Sequence, residues 1–249
     1  MESDIKSHKR TNDILLGPLE RPALRWLAAH MPAWVTPDIL TTIGFLGGLL
    51  IFISYCLTNF SPYFLWLANL GLVINWFGDS LDGTLARYRD IQRPRYGFFI
   101  DHTVDAVIEI MIVLGLGLSP YVRFDLAALA LIGYLLLSVM VFVQQAVTNE
   151  FKISYGKLGP TELRVVVILA NTLIFFIGNP VVSLPFGTVS LYNLLAVLAT
   201  LVMVGIFVVN TISKGRELSR QDNLDRLKER KDQSRTLDQD NILAGDPTD

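Results

Sequence analysis

Four stretches of the chain, residues 39–58, 59–78, 126–149 and 165–213, contain no Asp, Glu, Lys or Arg. Uncharged apolar runs of roughly 18 residues or more predict membrane-spanning helices. Six spans are expected, at roughly 39–58, 62–84, 97–118, 125–147, 163–178 and 190–213. The last two come from one uncharged run, Val165–Ser213, which is too long for a single helix. Gly178-Asn179-Pro180 and Pro185-Phe186-Gly187 interrupt it, and such clusters mark turns. The expected fold class is therefore all-α, a polytopic membrane protein of six transmembrane helices.

The basic residues orient these spans. Of the 21 Lys and Arg residues, all but Arg123 fall before the first span, in the loops after the second and fourth, or after the sixth. Positive charge collects on the cytoplasmic side, so both termini are expected there, in an integral membrane protein of a bacterial inner membrane. The polar N-terminus has no early apolar core, so no signal peptide is expected. Residues 13–33 alternate apolar and basic positions, as an interfacial helix on the cytoplasmic leaflet would. The domain reading is a lead-in over 1–38, a six-helix domain over 39–213 and a charged cytoplasmic tail over 214–249. The tail should first extend the sixth span as a polar helix, and its end, DQDNILAGDPTD, should be disordered.

Composition agrees. Hydrophobic residues make up 51% of the 249 and charged residues 18%, which excludes a soluble fold and a disordered chain. The net charge of −2 excludes a general nucleic-acid binder. Cys56 alone can form neither a disulfide framework nor a cysteine zinc site.

Chemistry concentrates between the second and third spans, in DSLDGTLARYRDIQRPRYGFFIDHTVDAVIE. Acids inside a bilayer cost about 2.5–3.5 kcal/mol each on insertion scales and mark function by default. Asp79 and Asp82 are three apart, and Gly83 and Ala86 each lie four beyond one of them, so all four share a helix face. Gly97, Asp101 and Asp105 recur every fourth position and share a face of the next helix. A short loop makes the two helices antiparallel neighbours, so the four carboxylates can converge near the cytoplasmic end. Clustered carboxylates repel unless cations fill the site, and all-carboxylate oxygen donors suit Mg²⁺ or Mn²⁺ rather than zinc. Four can bridge two ions about 3.5–4 Å apart, an arrangement that serves displacement at phosphorus. The small Gly83 and Ala86 would let a pyrophosphate approach the helix. Arg87 can hold a phosphate, and Arg89, Arg93 and Arg95 add positive potential for an anionic donor.

These residues resemble the signature of the CDP-alcohol phosphotransferase family (class I phosphatidyltransferases), Asp-x-x-Asp-Gly-x-x-Ala-Arg, a spacer, then Gly-x-x-x-Asp-x-x-x-Asp. Asp79, Asp82, Gly83, Ala86, Arg87, Gly97, Asp101 and Asp105 match all eight defining positions. The spacer, residues 88–96, is one residue longer than the family usually has. The resemblance implies transfer of a phosphoalcohol group from a CDP-linked donor to a hydroxyl acceptor, with release of CMP. It implies one metal on Asp79, Asp82 and Asp101, a second on Asp79, Asp101 and Asp105, and Asp105 as general base. Gly83, Ala86 and Arg87 would contact the CDP. A homodimer is implied by the family alone. The donor–acceptor pair is either a CDP-aminoalcohol with diacylglycerol or CDP-diacylglycerol with a soluble alcohol. Gly159-Pro160-Thr161-Glu162 and the Asp101-His102 pair resemble choline and ethanolamine phosphotransferases and tilt the reading to the first. Thr36-Pro37-Asp38 stands where many members have Pro-Asn.

Other polar residues near the site carry two readings each. His102 assists proton transfer or bonds a neighbouring helix. Glu109, one turn beyond Asp105, binds the acceptor or pairs with Asn75 or Gln144 in support of the site. Glu162 and Arg164 meet the acceptor or support the site; otherwise they are a helix-start carboxylate and a positive-inside arginine. Gly44, Gly47 and Gly48 suit close helix packing. Against an enzyme stands a cation or proton transporter using the intramembrane acids. Transporter acids sit nearer the midplane, and an arginine-rich loop would repel a cation.

Overall fold

A computed structural model describes residues 15–148, 159–184 and 187–244. The elements in chain order are α1 (Gly17–His30), α2 (Pro37–Leu57), α3 (Phe64–Tyr88), α4 (Pro94–Gly117), α5 (Phe124–Thr148), α6 (Pro160–Ile177), β1 (Val181–Leu184), β2 (Gly187–Ser190) and α7 (Leu191–Ala244). Helices α2–α7 cover the six predicted stretches. The starts are written in the sequence: Pro37, Pro94 and Pro160 each open a helix, where a missing N–H costs nothing. Thr36 caps α2 by accepting the Ile39 N–H at 3.3 Å.

Among the described residues, four helices are long and apolar enough to cross a membrane: Pro37–Leu57, Phe124–Val147, Pro160–Ile177 and the Leu191–Arg230 part of α7. Leu46, Ile53, Leu129, Val139, Leu169 and Leu173 point outward from α2, α5 and α6, as side chains facing lipid do. Helices α3 and α4, at 25 and 24 residues, carry the carboxylates and the buried Asn69 and Asn75 and fall outside that set.

The α2–α3 crossing positions the site. A Cβ placed on Gly78 would lie 2.3 Å from the Gly44 nitrogen and 2.4 Å from the Leu40 oxygen; one on Gly47 would lie 2.6 Å from the Asn75 nitrogen. The two backbones are in direct contact, as small residues allow in membrane helices. Gly48 gives the same access to α4, where an added Cβ would fall 2.8 Å from Ile108 Cγ1.

Helix α1 is docked by both apolar and polar contacts. Leu24 and Ala28 pack with Leu40, Leu81 and Leu85 in one core. Glu20 accepts hydrogen bonds from Trp76 Nε1 at 2.8 Å and Thr161 Oγ1 at 2.7 Å. The α1–α2 linker is held by Arg89, which donates to the carbonyls of Met31, Pro32 and Val35. A second core, around Ile51, Tyr55, Leu65, Leu72 and Ile174, lies toward the other end of α2 and α3. A polar chain crosses it: Tyr55 donates to Asn171 Oδ1 at 3.0 Å, and Asn171 Nδ2 to Asn69 Oδ1 at 2.8 Å.

Two features differ from expectation. Between α6 and α7 the chain forms an antiparallel hairpin, with Val181 paired to Ser190 and Leu184 to Gly187, where only turns were expected. Val181, Val182 and Val189 are β-branched and suit a strand, and their bracketing by Pro and Gly signals turns first. Helix α7 runs on to Ala244, so residues 238–244 are helical although their composition suggested disorder. The described residues also divide into two units after Met203, the second being the later part of α7. Lys152 and Lys157, counted in the charge bias, lie outside the described residues.

Candidate functional site

Asp79 and Asp82 sit near the end of α3, which stops at Tyr88. Asp90, at φ 56°, turns the chain in the left-handed region, and the Ile91 N–H closes back on the Ala86 carbonyl at 3.0 Å. Pro94 then opens α4, so the loop is five residues, Arg89–Arg93. This compact return brings Asp101 and Asp105 beside Asp79. Carboxylate oxygens of Asp79, Asp101 and Asp105 all lie within 4.8 Å of one another. The three are the first, third and fourth aspartates of the motif.

Asp82 is turned differently. It lines the same cleft as the other three, with Thr41 and Asn75. Its Oδ2 accepts from Thr41 Oγ1 at 2.6 Å, and its Oδ1 accepts from the Gly83 N–H. It is outside the group whose oxygens meet within 4.8 Å.

A positive charge reaches the cluster from α6. Arg164 Nη2 donates to Asp79 Oδ2 at 2.6 Å, and Nε donates to Asn75 Oδ1 at 2.9 Å. Asn75 Nδ2 donates in turn to the Gly44 carbonyl at 3.1 Å. The Arg164 and Asp79 side chains are 15% and 19% exposed.

Of the small residues, Gly83 differs from the packing glycines. The three atoms nearest a Cβ there all belong to the Arg87 side chain, with Nη1 at 3.2 Å. Arg87 itself donates to Thr84 Oγ1 at 3.2 Å. Ala86 is half-buried on the same helix. A Cβ on Gly97 would meet nothing within 4 Å. The nearest neighbour of Gly83 is thus a movable side-chain tip, not the backbone of another helix.

The remaining predicted residues find definite partners. His102 Nδ1 lies 2.8 Å from the Phe98 carbonyl, and its ring lies tilted against Phe98 at 4.1 Å and meets Phe142 edge-on at 5.6 Å; Nδ1 is 3.9 Å from Asp101 Oδ2. Glu109 accepts a hydrogen bond from Tyr134 of α5, while Asn75 engages Arg164 and Gly44. Glu162 is buried at 4% exposure. Its two oxygens accept the Leu16 N–H at 2.7 Å and the Gly159 N–H at 2.9 Å. That is a helix-start carboxylate which also ties α6 to the chain entering α1. Arg89 and Arg93, expected to add positive potential, also hold the structure together. Arg89 holds linker carbonyls; Arg93 pairs with Asp38 and lies 4.2 Å over the Tyr96 ring.

Sequence reasoning missed three contacts. Thr41 at Asp82 carried only the weak signal of a hydroxyl pair, Thr41-Thr42, in an apolar helix. Tyr134 at Glu109 carried none. Arg164 was singled out, but its bond to Asp79 spans 85 residues.

Three carboxylates this close repel one another, and one arginine offsets only part of that charge. All donors are carboxylate oxygens, the set that hard divalent cations such as Mg²⁺ or Mn²⁺ take. The residues fit such an ion.

Residues 34–209 match the family model described as CDP-alcohol phosphatidyltransferase. Among curated proteins, the archaetidylinositol phosphate synthase of Pyrococcus horikoshii is 38% identical over 104 residues, 42% of this chain and 52% of that protein. Cholinephosphotransferase 1 of Gallus gallus is 27% identical over 183 residues, 67% of this chain and 51% of that protein. The Homo sapiens protein of the same name is 26% identical over 165 residues, 61% and 39%. This chain spans about half the length, or less, of these curated relatives. The transporter reading of the aspartates finds no support among them. The apolar helices and the family match together mark an integral membrane protein.

Proposed function

Because this chain belongs to the CDP-alcohol phosphatidyltransferase family, we propose that it transfers a phosphoalcohol group from a CDP-linked donor to a hydroxyl acceptor and releases CMP. The observation that carries the reading is the meeting of Asp79, Asp101 and Asp105 within 4.8 Å beside the open face of Gly83. Asp79, Asp82, Asp101 and Asp105 would hold two Mg²⁺ or Mn²⁺ ions, which when bound polarise the diphosphate and neutralise its developing charge. Gly83 and Ala86 leave room for the CDP on α3, and Arg87 holds one of its phosphates. Asp105 takes the proton of the acceptor hydroxyl as that oxygen bonds to the phosphorus carrying the alcohol. The bridging P–O bond breaks, and CMP leaves with its electron pair. Thr41 keeps the Asp82 carboxylate aimed at the cleft.

Six spans with both termini in the cytoplasm belong to the same proposal, in a bacterial inner membrane with the site near the cytoplasmic face. The distribution of Lys and Arg supports it. So does α1, which buries Leu24 and Ala28 against the bundle and exposes Leu19 and Trp26 at 76% and 61%, as a helix lying in the interface would. For the substrate pair we favour a CDP-aminoalcohol with diacylglycerol. The cholinephosphotransferases match the larger share of this chain, and Asp101-His102 and Gly159-Pro160-Thr161-Glu162 support them. The higher identity to an archaetidylinositol phosphate synthase supports the second reading, a CDP-linked lipid donor with a soluble alcohol. A homodimer completes the proposal, and light scattering of the detergent complex tests it. The deciding experiment incubates purified protein with Mg²⁺ and both donor classes and follows CMP release. CMP formed with neither class overturns the activity.

A further inference from the structure

Arg164 brings a fixed positive charge to a cluster that would bind cations. We propose that Arg164 is the resident counter-ion of this cluster: it competes with divalent cations for Asp79, and its charge sets how tightly the site takes them. The inference rests on the metal reading above.

The guanidinium is held by two neighbours at once. Nη2 donates to Asp79 Oδ2 at 2.6 Å, and Nε to Asn75 Oδ1 at 2.9 Å. Asn75 is itself fixed, because its amide donates to the Gly44 carbonyl at the α2–α3 crossing. The arginine is therefore aimed at Asp79 by the helix packing and does not reach it by swinging in from solvent. Its third nitrogen, Nη1, is buried and has no hydrogen-bond partner among the described residues. A buried unpaired donor is costly, so this position is a compromise imposed by the acids. Helix α6 is pinned at its start by Glu162 to the Leu16 and Gly159 N–H groups, so Arg164 cannot withdraw far along the chain.

Two roles then separate. As a structural partner only, Arg164 would orient Asp79, and removing it would weaken metal binding and stability together. As a counter-ion, it repels the incoming ion and occupies one oxygen of a ligand. Removing its charge leaves the acids uncompensated without metal but opens Asp79 to it. Stability without metal should fall, and affinity for metal should rise.

The test uses the full chain purified in detergent, with Mn²⁺ binding read from the electron paramagnetic resonance of the free ion and thermal unfolding measured with EDTA and with Mn²⁺. Arg164→Gln keeps a hydrogen-bonding side chain without the charge. It should bind Mn²⁺ roughly tenfold more tightly than the wild type and gain more thermal stability from Mn²⁺. Arg164→Lys keeps the charge and should stay within about twofold of the wild-type affinity. Unchanged or weaker Mn²⁺ binding by Arg164→Gln overturns the counter-ion role while leaving the metal site intact. Should Arg164→Gln not fold, the same tightening is expected of Arg164→Met, which also removes the charge; unchanged affinity there overturns the role. A wild type that binds no Mn²⁺ overturns the metal reading and this inference with it.

Discussion

Gly78 and Gly83 lie five residues apart on α3 and should fail in opposite ways. A methyl group on Gly78 would sit 2.3 Å from the Gly44 nitrogen and 2.4 Å from the Leu40 oxygen, whereas ordinary contact needs 3.4–4 Å. Both obstacles are backbone, so α2 and α3 must part by about 1 Å, the difference between those distances. Overpacking of this kind costs up to about 3 kcal/mol. Helix propensity returns about 1 kcal/mol for Gly→Ala. The net loss is about 2 kcal/mol, or roughly 4–8 °C in Tm for a chain of this size. The same opening carries Asp79 away from Asp101 and Asp105, and a misplacement of about 1 Å can cost about 10²-fold in rate. Gly78→Ala should thus lose stability and activity together. At Gly83 the atoms nearest an added methyl belong to the Arg87 tip, the closest at 3.2 Å, and that tip can move. Gly83→Ala should keep the wild-type Tm or exceed it, and Gly83→Leu should keep its fold while losing CMP binding. Thermal unfolding in detergent beside CMP titration reads both. A Gly78→Ala protein as stable as the wild type would refute the backbone contact. Normal CMP binding by Gly83→Leu would move the nucleotide to another face.

Other outcomes follow from the same geometry. Turnover should require a divalent cation and disappear in EDTA, returning with Mg²⁺ or Mn²⁺; activity surviving chelation would sink the carboxylate site. Asp105→Asn should lose about 10²–10⁴ in turnover, the usual size of a general-base contribution, and a variant at half activity would show that Asp105 is neither base nor ligand. In a Cys56→Ser background, Phe60→Cys and Ser183→Cys should react only with reagent outside the cell and Arg95→Cys only with reagent inside; reversed labelling contradicts the orientation. Glu20→Ala removes the acceptor of two hydrogen bonds, from Trp76 and Thr161, and should lower stability by about 1–3 kcal/mol, read as a fall in Tm.

The helices were legible because a membrane imposes a pattern that few other environments do. Long apolar stretches, opened by Pro37, Pro94 and Pro160, locate α2, α4 and α6 to within three residues. The carboxylate face was legible for a related reason: spacings of three and four on adjacent helices joined by a short loop leave little freedom in where the side chains go. Asp79, Asp101 and Asp105 meet accordingly, and Gly44, Gly47 and Gly48 pack as their spacing suggested. The hairpin was not legible because its strands are four residues each, too short for alternation to stand out inside a hydrophobic run. Residues 238–244 misled in the opposite sense, since polar composition says nothing about a helix already started upstream.

Within the site, what escaped the sequence depends on partners far along the chain. A glutamate three residues into a helix, after Gly159-Pro160-Thr161, has one local role, to bind the N–H groups at the helix start, and one distant role, to face a substrate. Local spacing cannot choose between them. The choice is made by the chain entering α1, whose Leu16 N–H, 146 residues away, takes the second oxygen of Glu162. The arginines follow the same logic. Arg89 and Arg93 count equally in a charge tally, yet Arg89 is drawn to bare carbonyls at Met31 and Pro32 and Arg93 to Asp38. A tally of basic residues orients the chain in the bilayer, because that depends on the side and not on the partner. Predicting which arginine meets a phosphate needs the contacts, and Arg87 is the one whose side chain lies over Gly83, the place proposed for the CDP.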